Sequence, residues 1–481
     1  MGEKLLSKIE DNFVRYKDKL AIIQNNKEIT YHQLYVRTLE TVNMLKQMGI
    51  EKNTKVLLSI EDSYDFITIW IALWMCKAVP IPLETKVTDN EIRYAVESGI
   101  CQFIFADRQI SSLTDDLIQR SEKFFTQYIC YKTVYVIDDS RDDIALFFYT
   151  SGTTGLPKCV MFSHQAMYNS IVSLCTVAKM DSGDVFLTPI SPFLPASLAT
   201  AVLPSLVLGA TLIISNSALP GKLLRMINDY HVTVFFAVPF VYKNMLIAME
   251  NRERMLFQSV RLWLTSSANM ESRVYDEYYY KYNICIHSIY CSSECGAITY
   301  NSSQNIDEIK KSVGKTFDGV YIKIINENGK EVRLGETGEI VVSGKSIFSG
   351  YYQKEDLMKQ VLSGNWVRTG DLGSVDQNGF VRLEGRISDT INIAGYLVNP
   401  SEVENTILTN SDISDVLVYA KTNENEEDII AAKVILKNGS DVLDYDDFYA
   451  YCSKYLSSYK IPRCIEIVTS INSGRYGKKK R

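Results

Sequence analysis

The sequence predicts an α/β fold, with a β-rich region in its third quarter and a small closing unit of its own. Three observations carry this. Short apolar runs such as KVLLSI (55–60) and CQFIFAD (101–107) alternate with helix-like stretches, the pattern of parallel strands joined by helical crossovers. From about residue 312 the texture changes to short alternating runs broken by glycine, YIKIIN, EIVVSG, WVRTG and FVRLEG, which read as strands of a small β-rich region. After GRISD (385–389) a helix–strand alternation resumes to the last residue, and we read this block as a small C-terminal domain.

Residues 30–49 read as a helix with signals at both ends. Thr30 and Gln33 form a capping box, Leu34, Thr38, Val42 and Leu45 share one face, and Gly49 is a natural stop. KVLLSI reads as a buried strand, 63–76 as an apolar helix, and AVPIPL as extended chain because its prolines disfavour helix. TVFFAVP (233–239) and RLWLTSSA (261–268) are strand-like runs that end in small or polar residues. In open α/β sheets, ligands sit beyond such carboxyl ends. Val185 to Gly221 carries no charged residue, and Phe193–Ile214 is long enough to span a bilayer. Pro195, Pro204 and the Gly209–Ala210 break favour a buried helix followed by a buried strand instead, so no membrane insertion is expected.

The bulk numbers exclude several classes. With 46% hydrophobic and 22% charged residues the 481-residue chain has ample core and no disorder signature. Fifty-seven acidic against 51 basic residues give a net charge of -6, so a polyanion partner such as nucleic acid is not expected. The ten cysteines form no CxxC pair, and the cluster Cys285, Cys291, Cys295 lacks zinc-site spacing. MGEKLLSKIE is polar and charged, unlike a secretory signal, and Leu6 breaks the myristoylation pattern. A cytoplasmic protein with reduced thiols is expected.

The densest chemical signal is YTSGTTGLPKCV (149–160), directly after the strand-like IALFF. Its glycines permit close backbone approach, its hydroxyls donate hydrogen bonds, and Lys158 supplies positive charge, so the loop can wrap phosphates. It is not a Walker A sequence. SGTTGLPK resembles the phosphate loop of the adenylate-forming superfamily, which holds acyl-CoA synthetases, nonribosomal-peptide adenylation domains and firefly-type luciferases. Further superfamily blocks follow in order: IYCSSECG (289–296), GETGEIVVSGKSIFSGYY (335–352), WVRTGDLG (366–373), GRISDTINIAGYLVNPSEVE (385–404), and YKIPR with the closing GKKKR.

The resemblance implies a large N-terminal domain of parallel and mixed sheets flanked by helices with a small β-barrel-like subdomain (1–386), and a small mobile α+β C-terminal domain (387–481). It implies two half-reactions. A carboxylate attacks the α-phosphorus of ATP, giving an acyl-adenylate and pyrophosphate; a thiol then displaces AMP. By the same resemblance Thr150, Ser151, Gly152, Thr153, Thr154, Gly155 and Lys158 cradle the β- and γ-phosphates, Glu294 binds Mg2+, and Ser293 offers a hydroxyl to the α-phosphate. Tyr290 stacks on adenine, Asp371 accepts the ribose hydroxyls, and Arg386 reaches ribose or phosphate. Lys478 bridges the substrate carboxylate and the α-phosphate during adenylation and leaves when the C-terminal domain rotates. A mobile point charge suits a state in which negative charge builds and then departs. The hinge falls on Ser388 or Asp389.

This chain departs from the family pattern at several positions. Cys159 and Cys291 stand where glycines are usual, Ser293 where threonine is usual, and Asn392 where many peptide-synthetase domains have lysine. The acyl pocket is expected around Phe193, Leu194 and Ala196, and around Ser266, Ser267 and Ala268. No acid lies between Asp184 and Asp229 to hold a substrate ammonium, and a buried ammonium without a partner is costly. An aromatic or aliphatic carboxylic acid is therefore favoured over an α-amino acid. The expected acceptor is CoA or the phosphopantetheine of a separate carrier protein. His164, one of four histidines, reads as structural, because a carboxylate nucleophile needs no base at neutral pH. Two other readings are an adenylating enzyme with a non-thiol acceptor and a nucleotide-binding scaffold without turnover; the retained Lys158, Glu294, Asp371, Arg386 and Lys478 speak against the scaffold.

Overall fold

A computed structural model of the chain describes residues 4–85, 87–125, 127–135, 143–150, 158–249, 257–267, 270–393, 396–422, 428–437 and 443–471. Its largest sheet, nine-stranded among these residues, runs 315–316, 296–300, 286–292, 262–265, 234–237, 185–188, 211–214, 20–24 and 27–30 from edge to edge. The strands from 286–292 to 20–24 pair in parallel, and the edges are antiparallel. VFFA (234–237) and LWLT (262–265) are buried at every position, as expected where helices cover both faces of a parallel sheet. A second sheet orders 79–82, 55–59, 103–106, 128–133 and 118–124, parallel at first and antiparallel beyond 103–106.

Helix Tyr31–Gln47 starts where the sequence places it. Thr30 Oγ1 accepts from the Gln33 N–H (3.2 Å) and the Gln33 side chain accepts from the Thr30 N–H (2.8 Å), satisfying two of the donors a helix start leaves unpaired. Leu34, Thr38, Val42 and Leu45 are buried. The uncharged stretch forms a helical run ending in Gly209, at φ 73°, and then strand Thr211–Ile214. The run passes through a π segment at Leu198–Val202, just before Pro204. Pro204 has no N–H to give the carbonyl four residues back, and a wider turn ahead of it accommodates the loss. No helix among the described residues is long and apolar enough to cross a membrane.

The β-rich region is an antiparallel sheet of 320–325, 338–344, 366–375 and 362–363, with 381–386 paired to 366–375. The run expected at 366–370 continues as one ten-residue strand, Trp366–Val375. Glycines in it do not end the strand; they allow a bulge. The last block holds a hairpin, 391–393 with 396–398, and a sheet of 413–422, 428–436 and 464–467, with helices Pro400–Leu408 and Tyr445–Ser453. Its buried apolar cluster draws only on residues from Ile391 to Ile461, separate from the two clusters upstream. Arg386 ends the last strand of the upstream part, and an exposed 3-10 turn, Ile387–Asp389, follows it.

Candidate active site

Of the expected site residues that are described, Ser266, Tyr290, Ser293 and Glu294 lie at the carboxyl ends of parallel strands, and Asp371 and Arg386 on the antiparallel sheet. Strand 286–292 turns back into 296–300 through Ser293, Glu294 and Cys295, with Cys291 paired to Ala297 and Ser292 to Gly296. This three-residue hairpin puts Glu294 at its tip. Gly296 lies at φ 64°, and a Cβ there would come within 3.1 Å of Ser170 Oγ and 3.2 Å of the Ser346 carbonyl oxygen, so a side chain would be both strained and crowded there.

Asp371 is the centre of one cluster. Between Arg368 and Leu372 the strand slips register against Val341 and Glu339. The extra residues form a bulge, with Gly370 at φ 71°, and bulges re-aim side chains at such places. Asp371 is 7% exposed. Its Oδ2 accepts the Tyr290 hydroxyl at 2.7 Å, and its Oδ1 lies 3.0 Å from Arg386 Nε. Asp371 and Arg386 are direct cross-strand partners, which explains their contact. Burial, and next the Asp371 charge, push the Tyr290 phenol well above its usual range, so it stays a donor. Below the bulge, the Arg368 guanidinium pairs with buried Glu339, and Thr369 Oγ1 donates to the Ile340 carbonyl at 2.7 Å. These bonds fix the bulge from beneath.

Glu294 is the centre of a second cluster. Its Oε1 accepts the Tyr351 hydroxyl at 2.8 Å. Lys158 Nζ stands 5.8 Å from the centre of the Tyr351 ring, within cation–π range. The segment that carries Tyr351 pairs with strand Lys158–Ser163, Gly350 opposite Met161 and Tyr351 opposite Val160. Lys158 and Glu294, expected on one site from separate motifs, thus meet through a tyrosine to which the sequence reading gave no role. A tyrosine in a glycine-rich block carries no local signal of its partner.

The residues expected around the acyl group behave differently from one another. Ser266 follows strand Leu262–Thr265, is buried, and lies 3.2 Å from the Cys291 sulfur. Ser267 is exposed and adopts φ 77°, a conformation that costs a non-glycine residue energy and is found at functional sites. Phe193 is buried and meets the Phe66 ring edge-on at 6.1 Å; Leu194 and Ala196 are half-buried. Ser293 is half-buried beside Glu294. Ser388 is exposed and donates from Oγ to the half-buried Asp389 at 3.1 Å. His164 opens helix His164–Val177 and packs its ring edge-on against Trp74 at 5.1 Å, a packing role. Ser151, Gly152, Thr153, Thr154, Gly155, Ala268 and Lys478 lie outside the described residues, as do the side chains of Thr150 and Asn392.

A nine-stranded mixed α/β sheet, a lateral antiparallel sheet carrying Asp371, and a closing unit with its own core define the architecture of an adenylate-forming protein. The chain belongs to the AMP-binding enzyme family: residues 9–352 match that family and residues 402–478 match the AMP-binding enzyme C-terminal domain. It is similar to the 2-succinylbenzoate–CoA ligase of Bacillus licheniformis, 25% identical over 94% of this chain and 93% of that one. It is likewise similar to the 4-hydroxybenzoate–CoA/benzoate–CoA ligase of Rhodopseudomonas palustris, 23% identical over 96% of this chain and 90% of the relative. The crystal structure of ATP-bound MatB from Rhodopseudomonas palustris superposes with a TM-score of 0.86, covering 100% of this chain and 97% of that one. At 22% identity this likeness speaks for the fold.

Proposed function

We propose that the protein is an AMP-forming acid–thiol ligase. It condenses a carboxylic acid with ATP to an acyl-adenylate, releasing pyrophosphate, and passes the acyl group to a thiol, CoA or a carrier-protein phosphopantetheine, releasing AMP. The observation that carries this reading is the convergence of Asp371, Tyr290 and Arg386 in one cluster and of Glu294 and Lys158 in another. One offers a carboxylate for a ribose; the other offers a cation and a carboxylate for a metal–phosphate end. The two relatives named above are both CoA ligases of aromatic acids, which agrees with it.

The roles follow from chemistry. Asp371 accepts the ribose hydroxyls, with Arg386 alongside. The loop Thr150–Gly155 and Lys158 hold the β- and γ-phosphates, and Ser293 gives a hydroxyl to the α-phosphate. Glu294 fits Mg2+, because a hard cation binds through one or two carboxylates plus substrate phosphates. Substrate phosphates and water would supply the ion's remaining oxygens. Bound Mg2+ would neutralise charge on the departing pyrophosphate. Lys478 supplies a cation where the attacking carboxylate meets the α-phosphorus. Domain 387–481, turning on Ser388 or Asp389 against core 1–386, brings it in and removes it. Positioning and charge stabilisation are the work of this site; no protein nucleophile is needed.

The acid is aromatic or aliphatic. Phe193, Leu194, Ala196 and Ser266–Ala268 offer no carboxylate for an ammonium. The ten cysteines are all free thiols, which suits a cytoplasmic protein. The test is ATP–pyrophosphate exchange across a panel of acids, followed by thioester formation on CoA and on a carrier protein. Exchange with one class of acid and AMP release on adding thiol are the expected results. Tight ATP binding without exchange for any acid would overturn the reading in favour of a scaffold, and exchange without any thioester would point to a non-thiol acceptor.

A further inference from the structure

We infer that Tyr351 is a positioning residue for the metal–nucleotide end of the site, holding the Glu294 carboxylate in one orientation and giving Lys158 an aromatic face to rest against. The inference rests on the reading of Glu294 as a magnesium ligand. Four contacts from one short segment carry it. The Tyr351 hydroxyl donates to Glu294 Oε1 at 2.8 Å. The Phe348 N–H donates to the Glu294 carbonyl at 2.7 Å. The Phe348 ring packs edge-on against Tyr351 at 5.0 Å. Residues 350 and 351 pair with 161 and 160 on the strand that begins at Lys158.

The hairpin tip is thus fastened twice, at backbone and side chain, to a segment that is itself zipped onto the strand leaving the phosphate loop. A glutamate at a hairpin tip otherwise has three side-chain torsions to fix, and fixing them at the moment of binding costs affinity. Tyr351 fixes them beforehand. Its hydroxyl engages one carboxylate oxygen, which leaves the other for a cation. Because Tyr351 is 5% exposed, water does not substitute for its hydroxyl at no cost. The same ring, 5.8 Å from Lys158 Nζ, ties the positions of both charged groups to one strand register.

A purely structural tyrosine would give a different pattern from a positioning one. In full-length Tyr351→Phe the ring and its Phe348 contact remain and only the hydroxyl goes. Calorimetric titration with ATP should show about a tenfold loss of affinity in Mg2+, the effect of one hydrogen bond to a charged group. The affinity measured in EDTA should be unchanged, and the melting temperature should move by no more than about 2 °C. In Glu294→Gln the same substitution should remove no further Mg2+ dependence. Equal loss with and without Mg2+, or a lowered melting temperature with Mg2+ dependence intact, would overturn the proposal. Failure of the ligase reading looks different: no pyrophosphate exchange with any acid, while the Mg2+-specific loss in Tyr351→Phe persists.

Discussion

Replacing Asp371 by asparagine separates its two duties. In the structure the carboxylate accepts from Tyr290 at 2.7 Å and faces Arg386 Nε at 3.0 Å. Asparagine keeps the shape and an acceptor oxygen, so the Tyr290 hydroxyl retains a partner. The Arg386 side chain is 48% exposed, and such an ion pair contributes at most about 1 kcal/mol. In a chain this long the melting temperature should fall by about 1–2 °C. The ligand effect should be larger. Each ribose hydroxyl given to a carboxylate is a charge-assisted bond of about 1.5–3 kcal/mol, roughly twice its neutral counterpart. Neutralising the acceptor of two such bonds should cost about 1.5–3 kcal/mol, which is a rise of about 10- to 150-fold in the dissociation constant for ATP. Isothermal titration of the native chain and Asp371→Asn with ATP and with 2′,3′-dideoxy-ATP reads this directly. The native chain should bind ATP better than the dideoxy analogue, and the variant should lose most of that preference. If both nucleotides weaken equally, Asp371 does not read the ribose and its assignment fails.

Three further outcomes are expected. Lys478→Ala should lower adenylation by at least about a hundredfold while thioester formation from supplied acyl-adenylate survives; equal loss of both steps would remove Lys478 from its role. Gly385→Ala should lower stability by about 1–3 kcal/mol in thermal unfolding, because Gly385 lies at φ 141° and a Cβ there would come within 2.7 Å of the Asn399 side chain, which caps helix Pro400–Leu408 through the Ser401 N–H at 2.9 Å. Burial holds the imidazole of His287 below its usual 6.5, partly opposed by the 2.8 Å bond from Nδ1 to the Asn301 carbonyl; its neutral form therefore contributes stability above about pH 6.5 that is lost as the pH falls toward the lower folded value. The stability gap between the native chain and His287→Gln should accordingly narrow between pH 7.5 and pH 5, and a gap that does not change with pH would refute this.

The parts that could be read from sequence are those whose cause is local. A capping box needs only Thr30 and Gln33, a helix stop only Gly49, and a buried strand only an apolar run such as KVLLSI. The Pro204 break and the strand after Gly209 follow from the same short-range rules. The motifs located Glu294, Lys158, Asp371 and Arg386 for a related reason: each block keeps its chemistry within a few residues. What joins the blocks is not local. Tyr351 meets Glu294 across 57 positions and Tyr290 meets Asp371 across 81. Those contacts depend on two strand pairings and a register slip at Gly370, and neither a tyrosine nor a glycine announces its cross-strand partner. The length of strand Trp366–Val375 was hidden for the same reason: in isolation Gly370 reads as a break, and only its partner strand shows it to be a bulge.

The two cysteines that stand in place of glycines are alike in sequence and unlike in consequence. Cys159 pairs with Tyr149 across the strands flanking the phosphate loop and is buried at 6% exposure in the apolar cluster that also holds Met161 and Tyr352. A side chain there fills core behind the loop. Cys291 sits one residue beyond Tyr290, at the register slip in its strand, with its sulfur 3.2 Å from Ser266 Oγ. Burial pushes the Cys291 thiol up from its ordinary pKa, so it stands as a neutral thiol, and a thiolate nucleophile is disfavoured there. Its effect is therefore one of shape. It adds volume at the junction of the expected nucleotide and acyl sites, on the side closed by Ser266, where a glycine would leave room. Of the two departures, Cys291 is the one whose side chain meets an expected pocket residue, Ser266, beside Tyr290.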